Sequence, residues 1–187
     1  MISEKMKPFM ANNSAIRAMF EEGKRMATVY GRENVYDFSL GNPNVPVPQV
    51  TEAILDVVKN EDFMTLHGYM SNAGYEDVRQ TIAESLNKRF GTNFSFKNLI
   101  MTVGAASGLN IILKSILNPG DEVIIPAPFW LSYAEMVRIA GGTPVIAYTK
   151  AENNFELSRE ILESAYTDKT KAVIVTTPSN PTGMVLT

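Results

Sequence analysis

Four short stretches of this 187-residue chain carry residue types able to grip a charged, planar ligand. The first is Thr102-Val103-Gly104-Ala105-Ala106-Ser107-Gly108. An apolar run feeds through a glycine straight into a helical pattern, so the backbone N–H groups of Gly104, Ala105 and Ala106 point at one spot. Small side chains there admit an anion, and the helix dipole favours it. The same stretch also reads as a tight strand-to-helix turn with no ligand. The second is Pro126-Ala127-Pro128-Phe129-Trp130-Leu131-Ser132-Tyr133, where two prolines stiffen the backbone and present the one tryptophan of the chain. A rigid aromatic face suits a planar ring; core packing explains Phe129 and Trp130 as well. The third, Thr177-Pro178-Ser179-Asn180-Pro181-Thr182-Gly183, holds an asparagine before a proline, which restricts it to extended geometry and leaves its amide free to donate. An ordinary turn is the competing reading. In the fourth, Gly68-Tyr69-Met70-Ser71-Asn72-Ala73-Gly74, a tyrosine hydroxyl sits in a glycine-bounded loop.

The elements that must position these stretches emerge from periodicity. A helix from Ser14, with Ile16, Met19 and Phe20 on one side, stops at Gly31. Asp37–Leu40 reads as a short extended piece entering Gly41-Asn42-Pro43, and Pro43, Pro46 and Pro48 make the next connection stiff. A helix covers Ala53, Ile54, Val57 and Val58. Val78, Ile82, Leu86 and Phe90 mark another, with Gly91 as its stop. From there short β-rich runs alternate with helical patterns. Strands are expected at Leu99–Val103, Glu122–Ile125, Thr143–Thr149 and Lys171–Thr176. Helices are expected at Ala105–Leu117, Leu131–Ala140 and from Ser158 to Tyr166, with Ser158 as a cap. Such alternation predicts an α/β fold, a mostly parallel sheet sandwiched by helices. The wholly apolar run Ala172-Val173-Ile174-Val175 suggests a strand buried on both faces. Residues 1–45 form an N-terminal arm and helix, and 46–187 form the larger domain.

Composition removes several function classes. Seventeen basic against twenty acidic residues give a net charge of −3, which offers no bulk attraction for nucleic acid or an anionic membrane. No cysteine is present, and His67 is the one histidine, so thiolate chemistry and multi-histidine metal clusters are out. Apolar runs are broken well short of membrane-spanning length, and the N-terminus lacks the apolar core of a leader. A soluble, cytoplasmic protein is expected.

Taken together, the four stretches resemble the class I/II aminotransferases, the aspartate-aminotransferase-like group of fold-type-I pyridoxal-phosphate enzymes. The resemblance runs from about Ser14 to Thr187. It lies in Tyr69-x4-Gly74, Val103-Gly104-Ala105-Ala106, Asn118-Pro119-Gly120-Asp121-Glu122-Val123, Pro128-x-Trp130-x-x-Tyr133, Gly141-Gly142 and Asn180-Pro181-Thr182-Gly183. It implies the first half of the family's large cofactor-binding domain. It implies that Gly104, Ala105 and Ala106 cradle the phosphate of pyridoxal 5'-phosphate, that Trp130 stacks on the pyridine ring, and that Asn180 donates to the ring's phenolate oxygen. The family often has Ser, Thr or Lys in the cradle, so a side-chain contact is absent here. Tyr69 resembles the tyrosine that reaches the neighbouring subunit's phosphate, which implies a homodimer. Gly41 resembles the backbone position that meets the substrate carboxylate. By the same analogy Ala127–Pro128 and Asn180–Pro181 are cis.

The reaction implied is amino transfer between an amino acid and a 2-oxo acid. It needs a lysine to form a Schiff base with the cofactor, and in the family that lysine comes after the Asn-Pro-Thr-Gly motif, beyond Thr187. Ser85-x-x-Lys88 imitates the usual arrangement, but it falls inside the helix of Val78 and Ile82 with Lys88 off the apolar stripe. No catalytic residue is therefore expected within the chain, which is not expected to transaminate alone. A carbon–sulfur lyase of the same fold and a fragment that binds phosphate or a partner without turnover are the alternatives. The G-x-G-x-x-G spacing of a dinucleotide-binding domain is missing.

Overall fold

The computed structural model describes residues 2–4, 7, 15–41 and 45–186. Most of the expected arm, Asn42 and Pro43, and Thr187 lie outside them. The chain divides into two compact units, Met1–Tyr69 and Met70–Thr187.

The first unit is helical. Helix α1, Ala15–Tyr30, ends at Gly31 with φ of 87°, as the glycine stop requires. Helix α2, Pro48–Asn60, starts with proline at its first position, where a missing N–H removes no hydrogen bond. Helix α3, Phe63–Leu66, is capped by Asp62, whose carboxylate accepts from the Thr65 N–H at 2.9 Å. His67 closes α3 and packs on Phe63, with ring centroids 4.6 Å apart. The piece expected to be extended at Asp37–Leu40 bends at Ser39. The Asp37 carboxylate accepts from both the Ser39 hydroxyl (2.5 Å) and the Ser39 N–H (2.9 Å), and this local bond competes with extension.

The second unit holds the sheet. Helix α4, Glu76–Phe90, leads to an extended stretch and then to helix α5, Gly104–Ile116. Strand β1, Glu122–Ala127, helix α6, Ser132–Ala140, and strand β2, Thr143–Tyr148, come next. Helix α7, Arg159–Ala165, and strand β3, Thr170–Val173, complete the unit. Ser158 caps α7, its hydroxyl accepting from the Ile161 N–H at 3.3 Å.

Strand order is β2-β1-β3, all parallel, with Ile125 opposite Ile146 and Ile124 opposite Val173. The first crossover, from β1 out to β2, and the second, from β2 back over β1 to β3, run in opposite directions across the sheet. Right-handed connections of that kind place α6 and α7 on opposite faces. The core agrees. Val123 and Ile125 of β1 point into a cluster with Leu113, Ala134, Met136, Val137 and Ala140, while Ile124 points into a second with Ala147 and Ala165. Alternation of side chains along a strand puts these neighbours on opposite sides, and β1 is buried on both because it is central. The fold is thus α/β with a parallel sheet between helices.

Three further expectations need correction. Leu99–Val103 is extended at Leu99 (φ −119°, ψ 138°) but joins no sheet among the described residues. Its Met101 N–H donates instead to the Ala73 carbonyl at 2.9 Å, and Val103 is 93% exposed. An apolar pattern gives a strand only where a neighbour supplies ladder partners. The run 172–175 is not buried on both faces: Ala172 and Ile174 pack toward the α6 side, while Val173 and Val175 are exposed, because α7 covers Ile124 and Ala147 and not β3. On α4 the buried residues are Arg79 and Ala83, whereas Val78 and Phe90 of the expected apolar stripe are exposed.

Candidate functional site

Chain direction decides where the predicted site residues fall. Helix α5 leads through the Asn118-Pro119-Gly120-Asp121 turn directly into β1, so it runs back along that strand. The turn is closed by the Asp121 carboxylate, which accepts from the Asn118 N–H at 2.8 Å. Thirteen helical residues at 1.5 Å and six strand residues at 3.3 Å both span about 20 Å. Gly104 therefore lies at the level of the carboxyl end of β1. Ala106 and Leu109 pack against the same cluster as Val123 and Ile125, which fixes α5 on that face. The 127–132 loop leaves β1 and the 174–183 loop leaves β3, two adjacent strands, so their tips neighbour each other. Ligands of open parallel sheets collect at this end.

The turn into α5 is built for a close backbone approach. Gly104 has φ of 77°, and a Cβ there would meet nothing within 4 Å, so the space before it is open. The helix has no side-chain cap, and its first-turn N–H groups at Ala105 and Ala106 have no intrahelical acceptor. The Gly104 N–H itself is engaged: it donates to the Thr102 carbonyl at 2.9 Å, while the Thr102 hydroxyl donates to the Gly104 carbonyl at 3.0 Å. The expected trio of free donors is reduced to the two alanines, because Val103, at φ −78° and ψ 75°, forms an inverse γ-turn that folds the Gly104 N–H back onto Thr102.

Trp130 comes after the cis Ala127–Pro128 bond and is 39% exposed. Its carbonyl accepts from the Tyr133 N–H at 3.0 Å, and its indole meets the Tyr133 ring edge to face, centroids 5.3 Å apart at 89°. The Ala127 carbonyl is fixed by two bonds from Thr149, from the hydroxyl at 2.6 Å and from the N–H at 3.2 Å. On the neighbouring strand tip, Thr177–Pro178 and Asn180–Pro181 are both cis. Ser179 N–H donates to the Met184 carbonyl at 2.8 Å, and Gly183 N–H to the Ser179 carbonyl at 2.7 Å, so Asn180 rides on a closed loop.

A cavity of about 30 Å³ runs beneath the two loops, lined by Pro128, Tyr133, Thr149, Phe155, Thr176 and Asn180 among others. That is room for about one water and not for a pyridine ring. Asn180 and the 126–129 segment thus share a hollow. Trp130 and residues 104–106 do not line it. Gly41 and Tyr69 belong to the first unit; both are exposed, Tyr69 completely. Lys88 lies in the last turn of α4 and is exposed.

Sequence reasoning gave no role to three residues of this region. Tyr133 and Thr176 share a hydrogen bond of 2.9 Å across 43 residues, tying the β1 loop to the β3 loop. The Pro128-x-Trp130-x-x-Tyr133 spacing was the only signal Tyr133 left. Arg79 is buried, and its guanidinium donates to the carbonyls of Gly74 (3.2 Å), Phe96 (2.6 Å) and Leu99 (3.4 Å). Nothing in its local sequence marks it as buried.

The uncapped glycine-started helix, the exposed indole and the cis Asn-Pro loop belong to a parallel α/β unit. The chain belongs to the class I and II aminotransferase family, whose pattern matches residues 32–187. An aspartate aminotransferase of Bacillus sp. (strain YM-2) is 39% identical over 155 residues, 82% of this chain and 38% of that protein. Aromatic-amino-acid aminotransferase 2 of Thermococcus litoralis is 37% identical over 179 residues, 95% of this chain and 44% of that one. The crystal structure of an amino transferase from Eubacterium rectale superposes with a TM-score of 0.93 at 40% identity, covering all of this chain and 47% of that one. The chain spans about two fifths of the length of the curated relatives it matches.

Proposed function

We propose that the chain supplies the N-terminal half of a pyridoxal-phosphate-dependent aminotransferase, acting on an amino acid and a 2-oxo acid. The observation that supports this reading is the pair of adjacent strand-end loops that carry Trp130 and Asn180, tied by the Tyr133–Thr176 hydrogen bond, with the uncapped helix α5 packed on the same sheet. The residues present fit the cofactor: open space before Gly104 admits a phosphate that a side chain would block, and among the described residues no side chain caps the alanine amides. When bound, the cofactor supplies an electron sink for bond breaking at the amino acid's Cα.

What the chain's own residues contribute is binding and orientation. The amides of Ala105 and Ala106, aided by the α5 dipole, hold the phosphate, and Gly104 lets the backbone come close. Trp130 presents an aromatic plane to one side of the ring. The Asn180 carboxamide N–H donates to the ring's phenolate oxygen and stabilises its negative charge. Tyr69, fully exposed, reaches the phosphate held by a second copy in a homodimer, and the Gly41 backbone meets the substrate carboxylate. Residues 1–45 form the arm and small-domain part, and 46–187 the first half of the cofactor domain. Its place of action is the cytoplasm.

The test uses a polypeptide in which this chain is continued by the remainder of the family's length. With pyridoxal 5'-phosphate, an amino acid donor and 2-oxoglutarate, glutamate accumulates, and borohydride fixes the cofactor to one lysine. Ammonia and pyruvate released without glutamate would assign the carbon–sulfur lyase reaction instead. No labelled lysine would refute the cofactor reading altogether.

A further inference from the structure

Trp130 stands at the tip of a loop, with more than a third of its surface in solvent. An indole so placed has rotamers open to it, and a plane that is to receive a flat ring must be held in one of them. The holding group is visible. Tyr133 touches the indole in a T-shaped contact, 5.3 Å between centroids and 89° between planes. In either form of that arrangement, tyrosine edge on indole face or the reverse, at least one face of the indole stays clear of Tyr133. The tyrosine ring also packs on the β1–α6 core cluster, which limits its own motion.

Its hydroxyl is anchored as well. Tyr133 Oη and Thr176 Oγ1 lie 2.9 Å apart in a half-buried contact along the small cavity. Thr176 comes from the segment leaving β3, four positions before Asn180. The main chain of that segment is set by the Ile174 N–H donating to the Ile124 carbonyl at 3.0 Å. One hydrogen bond therefore joins the strand tip that presents the indole to the strand tip that presents the carboxamide. In a half-buried site such a bond resists slippage between loops more than the same pair would in water.

We infer that Tyr133 is a positioning residue: it braces the Trp130 plane and, through Thr176, sets the spacing between that plane and Asn180. The inference deepens the proposed function, since it rests on Trp130 being the ring platform. Tyr133 need touch neither cofactor nor substrate to do this.

Trp130 is the sole tryptophan, so its emission reports on the brace without a label. The experiment compares the 187-residue chain with Tyr133→Phe, Thr176→Val, Thr176→Ser and the Tyr133→Phe/Thr176→Val double variant. Time-resolved anisotropy and acrylamide quenching are read first without cofactor, then with pyridoxal 5'-phosphate as the added probe. Phenylalanine keeps the edge contact and loses the hydroxyl, so Tyr133→Phe and Thr176→Val each raise the population of undocked indole about five-fold. The double variant goes no further, and Thr176→Ser, which restores a hydroxyl, behaves as the parent. Apparent affinity for pyridoxal 5'-phosphate falls by the factor by which the docked fraction falls. Indole dynamics unchanged in both single variants overturns the brace. Should Tyr133→Phe fail to fold, Thr176→Val, with the tyrosine in place, decides the matter. A measured fall in the docked fraction that cofactor affinity does not follow supports the brace and refutes the reading of Trp130 as the ring platform, which separates the two failures.

Discussion

Arg79 gives the sharpest prediction about what holds the second unit together. The residue is 7% exposed, and its guanidinium donates to main-chain carbonyls at Gly74, Phe96 and Leu99. These belong to the turn before α4 and to the stretch that leads to Gly104, so Arg79 clamps one to the other. Consider Arg79→Met, which keeps the aliphatic stem and removes the donors. The Gly74 carbonyl retains the Ser71 hydroxyl at 2.5 Å, and the Phe96 carbonyl retains the Leu99 N–H at 3.2 Å, so neither acceptor is orphaned. The Leu99 bond, at 3.4 Å, is weak already. What is lost is two good bonds from a charged donor, each contributing about 1.5 kcal/mol, hence about 3 kcal/mol in all. With a urea m-value of about 1.5 kcal/mol/M, the unfolding midpoint drops by about 2 M. Arg79→Lys offers a point charge that reaches one carbonyl at a time and loses about half as much. Urea unfolding monitored by far-UV circular dichroism and Trp130 emission measures both. A midpoint for Arg79→Met within about 0.3 M of the parent, equivalent to about 0.5 kcal/mol, would refute the clamp.

Three further outcomes rest on single residues. At Gly142 an added Cβ would meet Leu117 Cδ1 at 2.9 Å, the Asp121 carbonyl at 3.1 Å and Val137 Cγ1 at 3.2 Å, so Gly142→Ala lowers stability by about 1–3 kcal/mol; an unchanged melting temperature would contradict this packing. Gly104→Ala meets no atom, yet forces alanine into φ of 77°, so it lowers stability by about 1 kcal/mol through backbone conformation alone; differential unfolding against the parent measures it, and no loss would mean the turn relaxes. Asp37 is held below the ordinary carboxylate range, first by the Ser39 hydroxyl and then by the Ser39 N–H. A lowered folded-state pKa supports the turn fully above the ordinary value and loses that support as pH falls through the lowered one. Ser39→Ala moves the Asp37 titration back up, as read from its carboxyl carbon by NMR, and an unmoved titration would contradict the assignment.

Much of this was legible in the sequence because local signals and tertiary structure agree. Gly31, Gly91 and Gly141 stop their helices with positive φ, and Ser158 caps α7 as its position suggested. The strand–helix alternation placed β1, β2 and β3 within a few residues of their bounds, and Ala127–Pro128 and Asn180–Pro181 are cis as the family resemblance implied. What escaped depends on partners far along the chain. Leu99–Val103 has the apolar pattern of a strand, but pairing is decided by neighbours that a periodicity cannot see. Arg79 reads as a surface position on α4, yet carbonyls 17 and 20 residues away accept its protons and draw it inside. The Tyr133–Thr176 bond spans 43 residues and left no local trace. The Gly104 N–H was misjudged for a subtler reason. Val103, at φ −78° and ψ 75°, makes an inverse γ-turn that directs the Gly104 donor onto the Thr102 carbonyl, a local geometry that residue types alone do not announce.

The central claim is that two alanine amides, an indole and a carboxamide serve one phosphorylated ring. The most direct test is a ¹H–¹⁵N titration of the isotopically labelled chain with pyridoxal 5'-phosphate. The Ala105 and Ala106 backbone amides, the Trp130 indole N–H and the Asn180 side-chain amide shift together along one saturation curve. Shifts scattered over the exposed lysines, or curves that differ between Ala105 and Asn180, would contradict it.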